Sequence, residues 1–145
     1  MYDDILLPTD GIDGIAQAAT HAQALAERFG ATVHVLSVVD TRNRFESPTS
    51  GLSTEAWKEA ESERADHAIE TTVAALPSAL SVETAVVSGV PKTAILDYVD
   101  DEGMDMVVMG THGRTGLDHY LIGSVAEKVV RRSPVPVVTV RLTEN

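Results

Sequence analysis

The sequence predicts an α/β fold, a parallel sheet with helices on both faces. Three observations carry that expectation. Five short, β-rich apolar segments recur along the 145 residues. Segments of helical period separate them, so the order reads β-α-β-α-β-α-β-α-β, with no internal repeat and no linker. Regular alternation of this kind places parallel strands in one sheet, wrapped by the helices that connect them.

Ile5-Leu6-Leu7 is a continuous apolar run and forms the first, buried strand; the loop signal Pro8-Thr9-Asp10-Gly11 ends it. Ile12, Ile15, Ala16, Ala19, Leu25, Ala26 and Phe29 then share one face of a helix, with Gly30 as its stop. Thr32 to Val39 is strand two. Asp40 to Leu52 is polar, carries Pro48 and Gly51, and is expected to be a mobile loop. Ser53 or Thr54 can cap a long helix reaching about Leu76, whose inner face would hold Trp57, Ala60, Ala68, Ile69 and Val73, with Pro77 ending it. Val82 to Val87 is strand three. Gly89-Val90-Pro91 opens the next helix with proline near its first position, where the missing N–H costs nothing. Ile95, Leu96 and Val99 face inward, and Gly103 ends it. Met104 to Met109 is strand four, Val125 to Arg132 the last helix, and Pro136 to Val140 strand five.

The chain is long enough for one domain, 1–145, with a real core. No run of about 18 apolar residues occurs, so no membrane span is expected. Met1-Tyr2-Asp3-Asp4 is acidic and leads straight into a strand, unlike a secretory leader. Cysteine is absent, which excludes disulfide and thiol chemistry. A cytoplasmic protein is the simplest reading. The net charge is −11. Such acidity suits either a high-salt cytoplasm, where repulsion is screened, or an ordinary acidic protein. Either way it disfavours nucleic acid as a partner, because that needs a basic footprint. The charge is uneven. Between Gly110 and Arg132, four basic residues oppose two acids, so this segment is +2 and the rest −13. Arg131 and Arg132 complement a helix C-terminus, whereas Arg114 lies among glycines.

The +2 segment also holds the main functional signal. Gly110, Gly113 and Gly123 are spaced G-x2-G-x9-G and followed at once by Ser124, between an apolar strand and a helix. Glycine lets backbone approach an anion, and a helix N-terminus offers free N–H groups to bind it. Gly123, Ser124 and Val125 would present those groups. Ser124 and Glu127 also fit a capping box, a purely structural reading of the same residues. Asp10 can cap the first helix, accept from ribose hydroxyls or help to hold a hydrated Mg²⁺. His112 and His119 flank the glycine loop and read as surface histidines or, when protonated, as phosphate donors, and His21, His34 and His67 read as structural ones; none has metal-ligand spacing. There is no G-x4-G-K-[ST] loop, no G-x-G-x-x-G after strand one and no G-x-S-x-G elbow, so a fast NTPase is unsupported.

Ile5-Leu6-Leu7-Pro8-Thr9-Asp10, Val38-Val39-Asp40, Gly89-Val90-Pro91, Met109 to Arg114, Ile122 to Val125 and Ser133 to Val140 together resemble the nucleotide-binding branch of the universal stress protein family, over essentially the whole chain. The resemblance implies a doubly wound five-stranded sheet in the order 3-2-1-4-5, similar to adenine nucleotide alpha-hydrolases. It implies ATP, ADP or AMP at the strand ends, with Mg²⁺ as a candidate companion. Carried over by position, Pro8, Thr9 and Asp10 line the adenosine side and Val38 meets the adenine through its backbone. Met109 and Gly110 line the ribose and α-phosphate region. Gly113, Arg114, Gly123, Ser124 and Val125 hold the phosphates. The resemblance also implies a homodimer joined through the terminal strand, residues 136–141.

Three functions stay open on the sequence. One is a nucleotide-binding stress sensor or regulator that acts on an unidentified protein partner. The second is a slow ATPase using the same pocket, and the third a structural dimer with no nucleotide.

Overall fold

A computed structural model describes residues 1–10, 15–41, 54–111 and 123–141. The elements are β1 (Asp4–Pro8), α1 (Ile15–Phe29), β2 (Thr32–Asp40), α2 (Thr54–Ala74), β3 (Val82–Gly89), α3 (Pro91–Glu102), β4 (Met106–Gly110), α4 (Ser124–Arg132) and β5 (Val137–Val140). All strand pairs are parallel, in the order β3-β2-β1-β4-β5. This is the doubly wound sheet and the strand order that the resemblance implied.

Strand alternation sorts the core into two layers. Ile5, Leu7, Val33, Val35 and Val108 point to one face and pack with Ile15, Ala18, Ala19, Ala22 and Ala26 of α1; Ile69 and Val73 of α2 close this layer. Leu6, Leu36, Val107 and Met109 point to the other face, against Ile95 and Val99 of α3 and Ala126 and Val129 of α4. The helices after β1 and β2 therefore cover one face, and those after β3 and β4 the other. The connections diverge between β1 and β4, which is where an open α/β sheet leaves a crevice at its strand ends.

Local signals explain most boundaries. Gly30 and Gly103 both adopt left-handed φ, 68° and 66°, at the stops where the sequence placed them. Pro91 occupies the first turn of α3, after Val90 as N-cap. Four details differ from the sequence expectations. Met104 belongs to the stop of α3, its N–H donating to the Val99 carbonyl at 3.0 Å, so β4 begins only at Met106. Ala16 and Ala60 are exposed. Phe29 is 41% exposed and meets Tyr2 edge-on, with ring centres 4.9 Å apart. On α2 the fully buried inner residue is Thr72. The expected loop, from residue 42 onward, lies outside the described residues.

At the amino ends of the strands, away from the crevice, His34 is structural as expected. It is buried, with Nε2 2.8 Å from Asp4 Oδ1 and Nδ1 3.4 Å from Glu83 Oε2. Asp105 Oδ2 accepts from the backbone N–H of Asp3 and Asp4, which ties β1 to the segment entering β4.

Candidate nucleotide site

The carboxyl ends of β1, β2 and β4 carry the residues singled out by sequence. Thr9 follows β1 directly and is buried; its N–H donates to the Leu36 carbonyl at 2.8 Å, which extends the pairing with β2 past the end of β1. Val38 lies two residues further along β2. Ladder alternation turns its N–H and C=O to the same side as those of Leu36, where β1 has already ended. A donor and an acceptor thus sit side by side at the strand end, the pair that the edge of an adenine ring can match.

Asp10 and Val38 line a shallow cleft open to solvent. Its other lining residues are Ser37 and, from α2, Glu61, Arg64, Ala65 and Ala68. Arg64 Nη2 donates to Glu61 Oε2, one turn away on the same helix. Two carboxylates, Asp10 and Glu61, thus share the cleft with one guanidinium. A second tie to α2 comes from Thr72, whose Oγ1 donates to the Ala68 carbonyl at 2.8 Å and lies 2.8 Å from Thr9 Oγ1 in hydrogen-bond contact. Sequence reasoning missed Thr72, Glu61 and Arg64. The Glu61–Arg64 spacing was visible as a helix-face pair, but nothing local says that this face looks into a cleft.

On the β4 side, Met109 is buried and Gly110 partly so. Thr111 N–H donates to the Val140 carbonyl, and Gly123 N–H donates to the Thr111 carbonyl, which brings the start of α4 to the end of β4. Two expectations are corrected here. Gly123, not Ser124, is the N-cap of α4, and no side chain caps this end. The Glu127 carboxylate is held instead by Arg131 Nη2 at 2.7 Å, so no capping box forms. The Gly123 N–H is also already committed to Thr111. The first intrahelical bond runs from Glu127 N–H to the Gly123 carbonyl at 2.9 Å, so Ser124, Val125 and Ala126 carry the N–H groups with no acceptor within the helix. Gly113, Arg114, Gly116, His112 and His119 lie outside the described residues. Among the described residues, no three His, Asp or Glu side chains group to hold a metal ion.

Comparison with known proteins shows the family to which this fold belongs. The family model described as "Universal stress protein family" matches residues 1–141. The chain belongs to the universal stress protein family. It is 35% identical to universal stress protein MJ0531 of Methanocaldococcus jannaschii, over 97% of this chain and 83% of that one. The solved structure of MJ0577, a universal stress protein of the same organism, superposes with a TM-score of 0.72 at 31% identity, covering 100% of this chain and 99% of that one. A universal stress protein solved in complex with cAMP shares the fold, with a TM-score of 0.64 at 24% identity and 98% of each chain covered. No helix among the described residues of this universal stress protein is long and apolar enough to cross a membrane.

Proposed function

We propose that this universal stress protein binds an adenine nucleotide, ATP, ADP or AMP, across the carboxyl ends of β1, β2 and β4, and acts as a homodimeric sensor or regulator. The observation that carries the reading is the convergence of complementary groups on the two sides of the strand-order switch. On the β2 side, Val38 offers backbone donor and acceptor groups suited to a base edge. Between the two sides, Pro8, Thr9 and Asp10 end β1, where the Asp10 carboxylate suits ribose hydroxyls or the water shell of Mg²⁺. On the β4 side, Met109 and Gly110 lead to the N-terminus of α4, whose Ser124 and Val125 N–H groups suit phosphate oxygens. Gly113, Arg114 and Gly123 belong to the same phosphate end by their place in the glycine spacing, Gly123 as a close-approach residue and not as a donor. The complex of a family member with cAMP supports the class of ligand.

Occupied and empty states would differ at the surface formed by the ends of β4 and α4, where a regulatory protein would read them. The homodimer would form through β5 and its flanks, residues 136–141. β5 is the last strand of the sheet, paired on one side with β4, and a second copy would cover its other edge.

Thermal unfolding with and without millimolar ATP and Mg²⁺ tests the binding reading. A ligand at 100 times its Kd stabilises the folded state by about 2.7 kcal/mol, a rise of several degrees in Tm. An unchanged Tm would overturn the reading.

A further inference from the structure

The glycine spacing and the strand ends account for the phosphate side of the proposed site and for one edge of a base. They do not account for the α2 wall of the cleft. Glu61 and Arg64 stand there with side chains only 15% and 35% exposed, paired to each other and facing the same space as Asp10, Ser37 and Val38. An ion pair that served only the helix would gain little and would normally stand in open solvent. Next to the pair, α2 presents the small, buried side chains of Ala65 and Ala68. The pair also sits on the β2 side of β1, with Val38, whereas the α4 N-terminus lies beyond β4 on the other side. It is therefore placed for the base and not for the phosphates. A guanidinium is planar and weakly hydrated, and it stacks on π faces in a way that an ammonium does not.

We propose that Arg64, held in place by Glu61, contacts the face of the nucleobase in this site, its guanidinium plane stacked on the purine. The proposal rests on the nucleotide reading above. Glu61 would keep the guanidinium from turning to solvent, so it is a positioning residue, while Arg64 itself touches the ligand.

Calorimetric titration of ATP and of adenosine into wild type, Arg64→Ala, Arg64→Lys and Glu61→Gln tests this. Stacking predicts that Arg64→Ala weakens ATP and adenosine by the same factor, about tenfold. Arg64→Lys should lose nearly as much, because it keeps the charge without the plane, and Glu61→Gln should lose less. The melting temperature of the ligand-free variants should stay near wild type, since Arg64 is partly exposed. Wild-type affinity in Arg64→Ala would overturn the proposal and leave the nucleotide reading standing. So would a loss seen with ATP but not adenosine, or full rescue by lysine, since either makes Arg64 a charge for phosphate. Failure of the wild type to bind either ligand would overturn the nucleotide reading and the proposal together.

Discussion

Thr72 shows how one side chain can join a distant helix to the site. It is fully buried on α2, and its hydroxyl contacts Thr9 across 63 residues of sequence. Thr72→Val keeps the shape and deletes the polar atom, which leaves the Thr9 hydroxyl one partner short in a buried setting. The expected cost is about 1–2 kcal/mol by urea denaturation, with weaker ATP binding and rescue of both by Thr72→Ser. Tyr98, on α3, makes a second prediction at this scale. Burial first, then the carboxylates of Glu102 and Glu83, push its phenol above the ordinary value of 10.0. The folded state therefore keeps the proton to higher pH than the unfolded chain. The resulting stability is complete below the unfolded value and is lost as pH rises through the folded one. Tyr98→Phe should remove that part of the alkaline loss, read as a smaller drop in unfolding midpoint between about pH 9 and about pH 11.

The helices differ in how far they could be read from sequence. α3 was legible at both ends because Pro91 and Gly103 are strong local signals. Gly103 has φ 66°, and no atom lies within 4 Å of where a Cβ would stand. Gly103→Ala should therefore cost about 1 kcal/mol through backbone strain alone, with no packing change, measured as a lower Tm and unchanged ATP affinity. α2 was legible as a helix but not in its buried face. Its C-terminal half buries Ala65, Ala68 and Thr72, small or polar residues with weak apolar period, while Ala60 faces solvent. Its Glu61 and Arg64 read as an ordinary solvated pair until the strand ends bring the cleft beneath them. The start of α4 was misread because two local partners compete for Glu127. Arg131, one turn ahead, takes the carboxylate that a capping box would have turned back on Ser124.

The sheet as a whole sets where the proposed ligand and the proposed second copy would sit. Continuous apolar runs such as Ile5-Leu6-Leu7 made the buried central strands readable, and alternation with helices gave their parallel sense. The strand order came from resemblance to a family, since no local pattern encodes which neighbour a strand chooses. The same order leaves β5 at one edge. The carbonyls of Pro136 and Val140 accept from the N–H groups of Val107 and Thr111, on the β4 side, so the backbone groups of Thr139 face outward. Thr139→Pro removes an outward N–H while sparing the β4–β5 bonds. It should convert the proposed dimer to a monomer by light scattering on a sizing column, and a retained dimer mass would mean another interface.

The strand-order switch between β1 and β4 is the proposed seat of an adenine nucleotide. The most direct test is to extract small molecules from freshly purified protein and identify them by mass spectrometry. Recovery of ATP, ADP or AMP near one per chain is the result expected here. An empty protein that also takes up no added ATP would contradict the account.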